Sequence, residues 1–217
     1  MGDPAMPVTL EALDLAALLC SRVCHDLISP VGAVVNGLEV LEEDKDEEMK
    51  TFALDLIKKS AQQASARLQF CRLAFGAAGS AGAAIDLGDA QGVARGFLED
   101  GKTRLEWNLP RELLPKNRVK LLLNLLMLAG QTIPRGGTLT IDPVGTGQAM
   151  GFRIVAAGPQ ARVPQTVPAL VSGEPGAHAV DSHAIQPFYT GLLARSCGLA
   201  VTLEPEGERV VVTAQAA

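Results

Sequence analysis

Arg22-Val23-Cys24-His25-Asp26-Leu27-Ile28-Ser29-Pro30 is the stretch on which the reading of this chain turns. It lies inside a helical pattern over about residues 10–43, where small or apolar residues recur at Leu13, Ala17, Cys20, Cys24, Leu27, Val31, Val34, Leu38 and Leu41. Alternating steps of four and three mark the buried seam of a helical bundle. His25 falls just outside that seam. Counting on from it by threes and fours gives Arg22, Ser29, Gly32, Ala33 and Asn36, polar or very small residues that leave the imidazole reachable. Pro30 has no N–H to give to the carbonyl of Asp26 and its ring crowds that carbonyl, so the helix is expected to kink or loosen at the turn that carries the histidine.

Working outward, Thr9 is placed to cap this helix, and the acidic run 42–48 to turn the chain. A second helical pattern follows over about 47–75, with Met49, Ala53, Ile57, Ser60, Ala64, Leu68, Cys71 and Phe75 on one face. Two helices with apolar seams do not cover each other, and a four-helix bundle made by two chains closes both, so a homodimer is expected. The Gly/Ala-rich stretch 76–84 has the composition of a linker. It divides the chain into a hairpin unit, 1–78, and a second unit, 85–217. There the periodicities predict helices at 86–98, 116–133 and 185–197. They predict strands at 103–109, 138–144, 151–156, 199–203 and 209–213, the last two a hairpin turning at Glu206-Gly207. The fold class is α+β: a helical hairpin, then a mixed sheet with helices on one face.

Composition removes several function classes. A net charge of −5 with 4% aromatic residues argues against a nucleic-acid surface, which needs clustered cations and stacking rings. No apolar run approaches the roughly 20 residues of a membrane span and no leader pattern opens the chain, so no membrane partner and a cytoplasmic location are expected. Cys20, Cys24, Cys71 and Cys197 fall on apolar helical positions and read as buried, reduced thiols. Three possible ligands, His178, Asp181 and His183, lie within six residues, but glycine and proline flank them and no fourth ligand is evident, so they read as loop residues.

His25-Asp26-Leu27-Ile28-Ser29-Pro30 resembles the phosphoacceptor box of the dimerisation and phosphotransfer domain of sensor histidine kinases, a histidine followed by an acidic residue and, five places on, a proline. The second unit resembles the ATP-binding domain of the same kinases with the nucleotide chemistry removed. In the segment 122–129, Asn124 matches the first of two kinase asparagines, but Leu128 stands at the second, the magnesium ligand, and offers a cation no lone pair. Ala156 stands at the aspartate that would read adenine, and Gln160 at a following glycine. Where a glycine-rich lid would cover the phosphates, the chain has Ser182-His183-Ala184-Ile185-Gln186-Pro187, whose side chains keep backbone amides from close approach. In all, the chain is similar to the ChpT family of histidine phosphotransferases in bacterial cell-cycle phosphorelays.

The resemblance implies that His25 accepts a phosphoryl group from an aspartyl phosphate on one response-regulator receiver domain, that of an upstream hybrid kinase among them, and passes it to another. A neutral imidazole suits this, since its ordinary pKa of about 6.5 leaves one nitrogen lone pair free near neutrality. Asp26 is then the residue that fixes the ring tautomer, or a solvated surface carboxylate. Ser29 positions water for receiver dephosphorylation, or is a plain helical serine. Arg22 pairs with the phosphoryl group or with solvent. Gly32, Ala33 and Asn36 admit a receiver helix, or only allow tight packing. No cofactor or metal is expected on this chain, and Mg2+ belongs to the receiver's acidic pocket. Two rival readings stay open, a non-catalytic dimeric scaffold or anti-kinase and an active ATP-dependent kinase.

Overall fold

A computed structural model of the chain describes residues 8–43, 46–76, 84–174 and 180–216. Helix α1 (Ala12–Glu43) runs without interruption through Pro30, and α2 (Glu47–Ala74) returns beside it. Asp46 caps α2 by accepting from the Glu48 N–H, with Glu47 and Glu48 in the positive first turn. Thr9 does not cap α1. It sits in the lead-in, where the Val8 N–H donates to Gly173 O, and helical bonding begins with Leu15 N–H to Glu11 O. The linker reading at 76–84 falls largely outside the described residues.

Beyond it come β1 (Ala84–Asp86), α3 (Leu87–Leu98), β2 (Thr103–Trp107), β3 (Leu113–Pro115), α4 (Lys116–Thr132), β4 (Gly137–Val144), β5 (Gly151–Ala157), α5 (Val167–Ser172), α6 (Ile185–Ser196), β6 (Leu199–Glu206) and β7 (Arg209–Ala216). Five strands form one sheet in the order β2-β4-β5-β7-β6, with β2 parallel to β4 and the other pairs antiparallel. β1 and β3 pair separately as a small ribbon. Phe152, Ile154 and Ala156 of β5 alternate inward and meet Leu139 and Ile141 of β4 and Val210, Val212 and Ala214 of β7 in the core, while Arg153 and Val155 are less buried. Helix α4 is buried on every side because the sheet, helices α3 and α6, and the end of α2 with Phe70 and Ala74 all pack around it. Phe70 stacks on Phe97 of α3 at a centroid distance of 4.0 Å. The hairpin and the α/β unit therefore share one core at this end.

Three expectations need correction. Most of the seam read on α1 lies off the face that meets α2, with only Leu27, Val34 and Leu41 half-buried: the buried positions are Asp26, Pro30 and Gly37, and a Cβ on Gly37 would come 2.6 Å from Ile57. Leu13, Ile28, Val31, Val35 and Leu38 are exposed on the single chain. Cys20 and Cys24 belong to the same outward stripe and are exposed, so of the four thiols only Cys71 is fully buried. Finally, α1 is long and apolar enough to cross a membrane by length and composition, with an 18-residue window of mean hydropathy 1.4. The outward apolar stripe, added to the inner face, produces that value.

The short α5 was not legible from periodicity, but Pro168 near its start and Gly173 in the left-handed conformation (φ +86) after its end are start and stop signals that mark it.

Candidate functional site

The His25 side chain is 62% exposed on α1, and its Nδ1 lies 3.5 Å from Asp26 Oδ1. Asp26 is not a solvated carboxylate, since its side chain is only 11% exposed. Its other oxygen, Oδ2, accepts from Arg22 Nε at 3.1 Å. Arg22 is thus engaged one turn before the histidine, neither facing open solvent nor free to take a phosphoryl group without leaving Asp26. The Asp26 carbonyl, which Pro30 deprives of its helical donor, accepts instead from Arg67 Nη1 of α2 at 2.7 Å. That bond explains how α1 passes through Pro30 unbroken, and Arg67 is a residue the sequence reading missed. Only a tertiary contact across the hairpin reveals it.

A carboxylate beside Nδ1 favours the tautomer with the proton on Nδ1, which leaves the lone pair on Nε2. Ser29 and Asn36 are exposed on the same side of α1 as His25. Gly32, between them, has nothing within 4 Å of where a Cβ would stand. Ala33 is half-buried, turned toward α2. The structure therefore brings His25, Ser29, Gly32 and Asn36 onto one open face and sets Arg22 and Ala33 at its inner edge. Beneath it, burial first and the Asp26 carboxylate second push the Cys71 thiol up to about 11.

The other ring at this site comes from the α/β unit. His183, just ahead of α6, packs edge-on against His25 with centroids 5.2 Å apart and planes at 79°. Asp181 Oδ1 accepts from the backbone N–H groups of His183 (2.9 Å) and Ala184 (2.8 Å), and these bonds lower its pKa. Asp181 thus acts as a turn residue, in keeping with the loop reading, and His178 lies outside the described residues. Among the described residues no cluster of His, Cys, Asp and Glu has the grouping of a metal site.

The residues compared with a nucleotide site serve the core. Asn124 is fully buried and donates through Nδ2 to Ala74 O (3.1 Å) and Lys120 O (2.9 Å), while its Oδ1 accepts from Gln186 Nε2 at 3.2 Å. Leu128 packs with Val167 and Val171 of α5, and Ala156 is sealed under the sheet. Gln160 takes φ +60, a left-handed backbone that favours the glycine the resemblance would place there.

Residues 87–209 match the family described as histidine phosphotransferase C-terminal domain. Over 211 residues the chain is 50% identical to protein phosphotransferase ChpT of Brucella abortus (strain 2308), covering 97% of this chain and 100% of that protein. A solved structure of a bacterial phosphotransferase superposes with a TM-score of 0.88 at 48% identity, covering 97% of this chain and 100% of that one. With half of its residues shared across nearly its whole length, and the same three-dimensional arrangement, the chain belongs to the ChpT phosphotransferase family.

Proposed function

We propose that the chain is a histidine phosphotransferase of two-component signalling, in which His25 carries a phosphoryl group between receiver-domain aspartates and no ATP-dependent autokinase step occurs. The observation that carries this reading is the exposed imidazole, with Nδ1 against a nearly buried carboxylate and Nε2 left free. Nε2 attacks the phosphorus of an aspartyl phosphate in line, the acyl phosphate P–O bond breaks, and the receiver carboxylate departs. The imidazolium that forms gains positive charge beside Asp26, whose own charge Arg22 balances from the far side. Transfer to a second receiver reverses the step. Mg2+ sits on the receiver, where it screens the phosphoryl oxygens.

Ser29 holds water for receiver dephosphorylation, while Gly32, Ala33 and Asn36 form the surface on which a receiver helix lies, with Arg22 at its inner edge. Leu128 and Ala156 support the absence of autokinase chemistry, because buried apolar side chains stand in place of the magnesium and adenine ligands. The exposed stripe on α1, with Phe52, Leu54 and Leu68 exposed on α2, fits a homodimeric four-helix bundle. In that state α1 faces protein and the molecule works in the cytoplasm.

The test is a relay. A receiver domain charged with labelled acetyl phosphate, freed of the small molecule, is mixed with the protein and then with an uncharged second receiver. Label is expected to pass through the wild-type protein and not through His25→Gln, which keeps hydrogen-bonding capacity but has no nucleophilic ring nitrogen. Passage through His25→Gln would overturn the reading.

A further inference from the structure

His25 is a half-free side chain. Its contact with Asp26 is long at 3.5 Å, and most of the imidazole surface is open, so that contact alone leaves the ring free to turn about its side-chain torsions. A second element also touches the ring. The His183 ring meets His25 nearly perpendicular at 5.2 Å, the separation and orientation of an edge-to-face aromatic pair. His183 is itself well anchored for an exposed residue. Asp181 fixes its backbone N–H, and directly after it Ile185 and Phe188 of α6 pack into a cluster with Leu15, Leu18 and Leu19 of α1. The α/β unit is thereby pinned to α1 about two to three turns upstream of the histidine.

We propose that His183 is a positioning residue for phosphotransfer: together with Asp26 it clamps the His25 ring, Nδ1 toward the carboxylate and Nε2 toward the incoming phosphorus. This rests on His25 being the phosphoacceptor. It gives the second unit a role in the chemistry that needs no nucleotide, since α6 delivers the clamp. Its effect is on the population of reactive ring orientations, so it acts on the rate of attack and not on receiver affinity.

The experiment uses the full chain and a small donor, potassium phosphoramidate, so that no receiver is required. Nε2 attacks phosphorus of the nitrogen-protonated donor, the P–N bond breaks, and ammonia leaves with the bonding pair while the phosphorylated ring loses its surplus proton to solvent. Phosphohistidine at His25 is followed by phosphorus NMR and assigned by peptide mass spectrometry at neutral pH. In parallel, nitrogen-15 shifts of the His25 ring report its tautomer. His183→Ala is expected to charge His25 roughly three- to tenfold more slowly, the range of an edge-to-face contact expressed as a rate. Its ring shifts should move toward tautomer averaging. His183→Phe keeps the aromatic contact without a nitrogen and is expected to restore most of the rate. His183→Ala charging at the wild-type rate, slowing with unchanged ring shifts, or slowing that His183→Phe does not rescue would each overturn the clamp. Failure of the phosphoacceptor reading is a separate result: no phosphohistidine at His25 in the wild-type protein, or charged wild-type protein that yields nothing to a receiver.

Discussion

In α4 every residue from 119 to 129 is buried, whereas α1, nearly twice as long, buries only Asp26, Pro30 and Gly37. One helix is finished within its own chain and the other is not. The difference separates two kinds of apolar pattern that look alike in a sequence. Helix α4 is enclosed by the sheet and by α2, so its leucines stabilise a single chain. The outward stripe of α1 has no cover within its own chain, and in the homodimer proposed above it would meet the partner. The histidine lies on the unfinished helix, still 62% exposed although His183 packs edge-on against it.

The largest expected effect breaks the unfinished half. Val31→Glu places an uncompensated carboxylate in the stripe of both chains, and light scattering at micromolar concentration is expected to report half the wild-type mass. A wild-type protein already at monomer mass would show that the stripe has another use. Phe152→Ala, in the finished half, should cost about 3–5 kcal/mol in urea unfolding without altering the mass per assembly at low denaturant. Arg67→Leu tests the joint between the helices of the hairpin. It leaves the Asp26 carbonyl without a donor beside Pro30, and the expected loss is about 1–3 kcal/mol, with α1 helicity falling by circular dichroism.

The smallest effect is chemical. Burial holds the Cys71 thiol up to about 11, so it stays protonated and unreactive toward a thiol reagent at pH 8. Because that folded value is raised, its stabilising contribution is complete below the ordinary thiol pKa and fades as pH rises through about 11. Cys20 and Cys24 on the stripe should react slowly in the assembled wild type and quickly in Val31→Glu.

Much of this was legible in the sequence. The two long helices, the order of the longer helices and strands from residue 86 on, and the turns at the sheet ends follow from period and punctuation, and the phosphoacceptor box carries His25 and Asp26 together. What periodicity does not carry is which side of a helix meets its own chain. Leu13, Val31 and Leu38 of the seam read from the sequence are exposed, Ile28 and Val35 of the outward stripe were not in it, and tertiary contacts such as Gly37 against Ile57 and Arg67 on Asp26 show where α2 lies. Long-range partners were also silent. Arg67 has no local signal linking it to Pro30, and His183 looked like a loop residue because its partner is remote in sequence. The burial of Asn124 was hidden for the same reason, since its partners come from α2, α4 and α6.

The central claim is that the exposed histidine does the chemistry while the α/β unit carries no nucleotide. Its most direct test is a paired charging experiment on the wild-type protein, one arm with a labelled phospho-receiver and Mg2+ and the other with γ-labelled ATP and Mg2+, followed by peptide mass spectrometry at neutral pH. The account predicts phosphate on His25 in the receiver arm and none in the ATP arm. Label on His25 from ATP, or receiver-derived label on any residue other than His25, would contradict it.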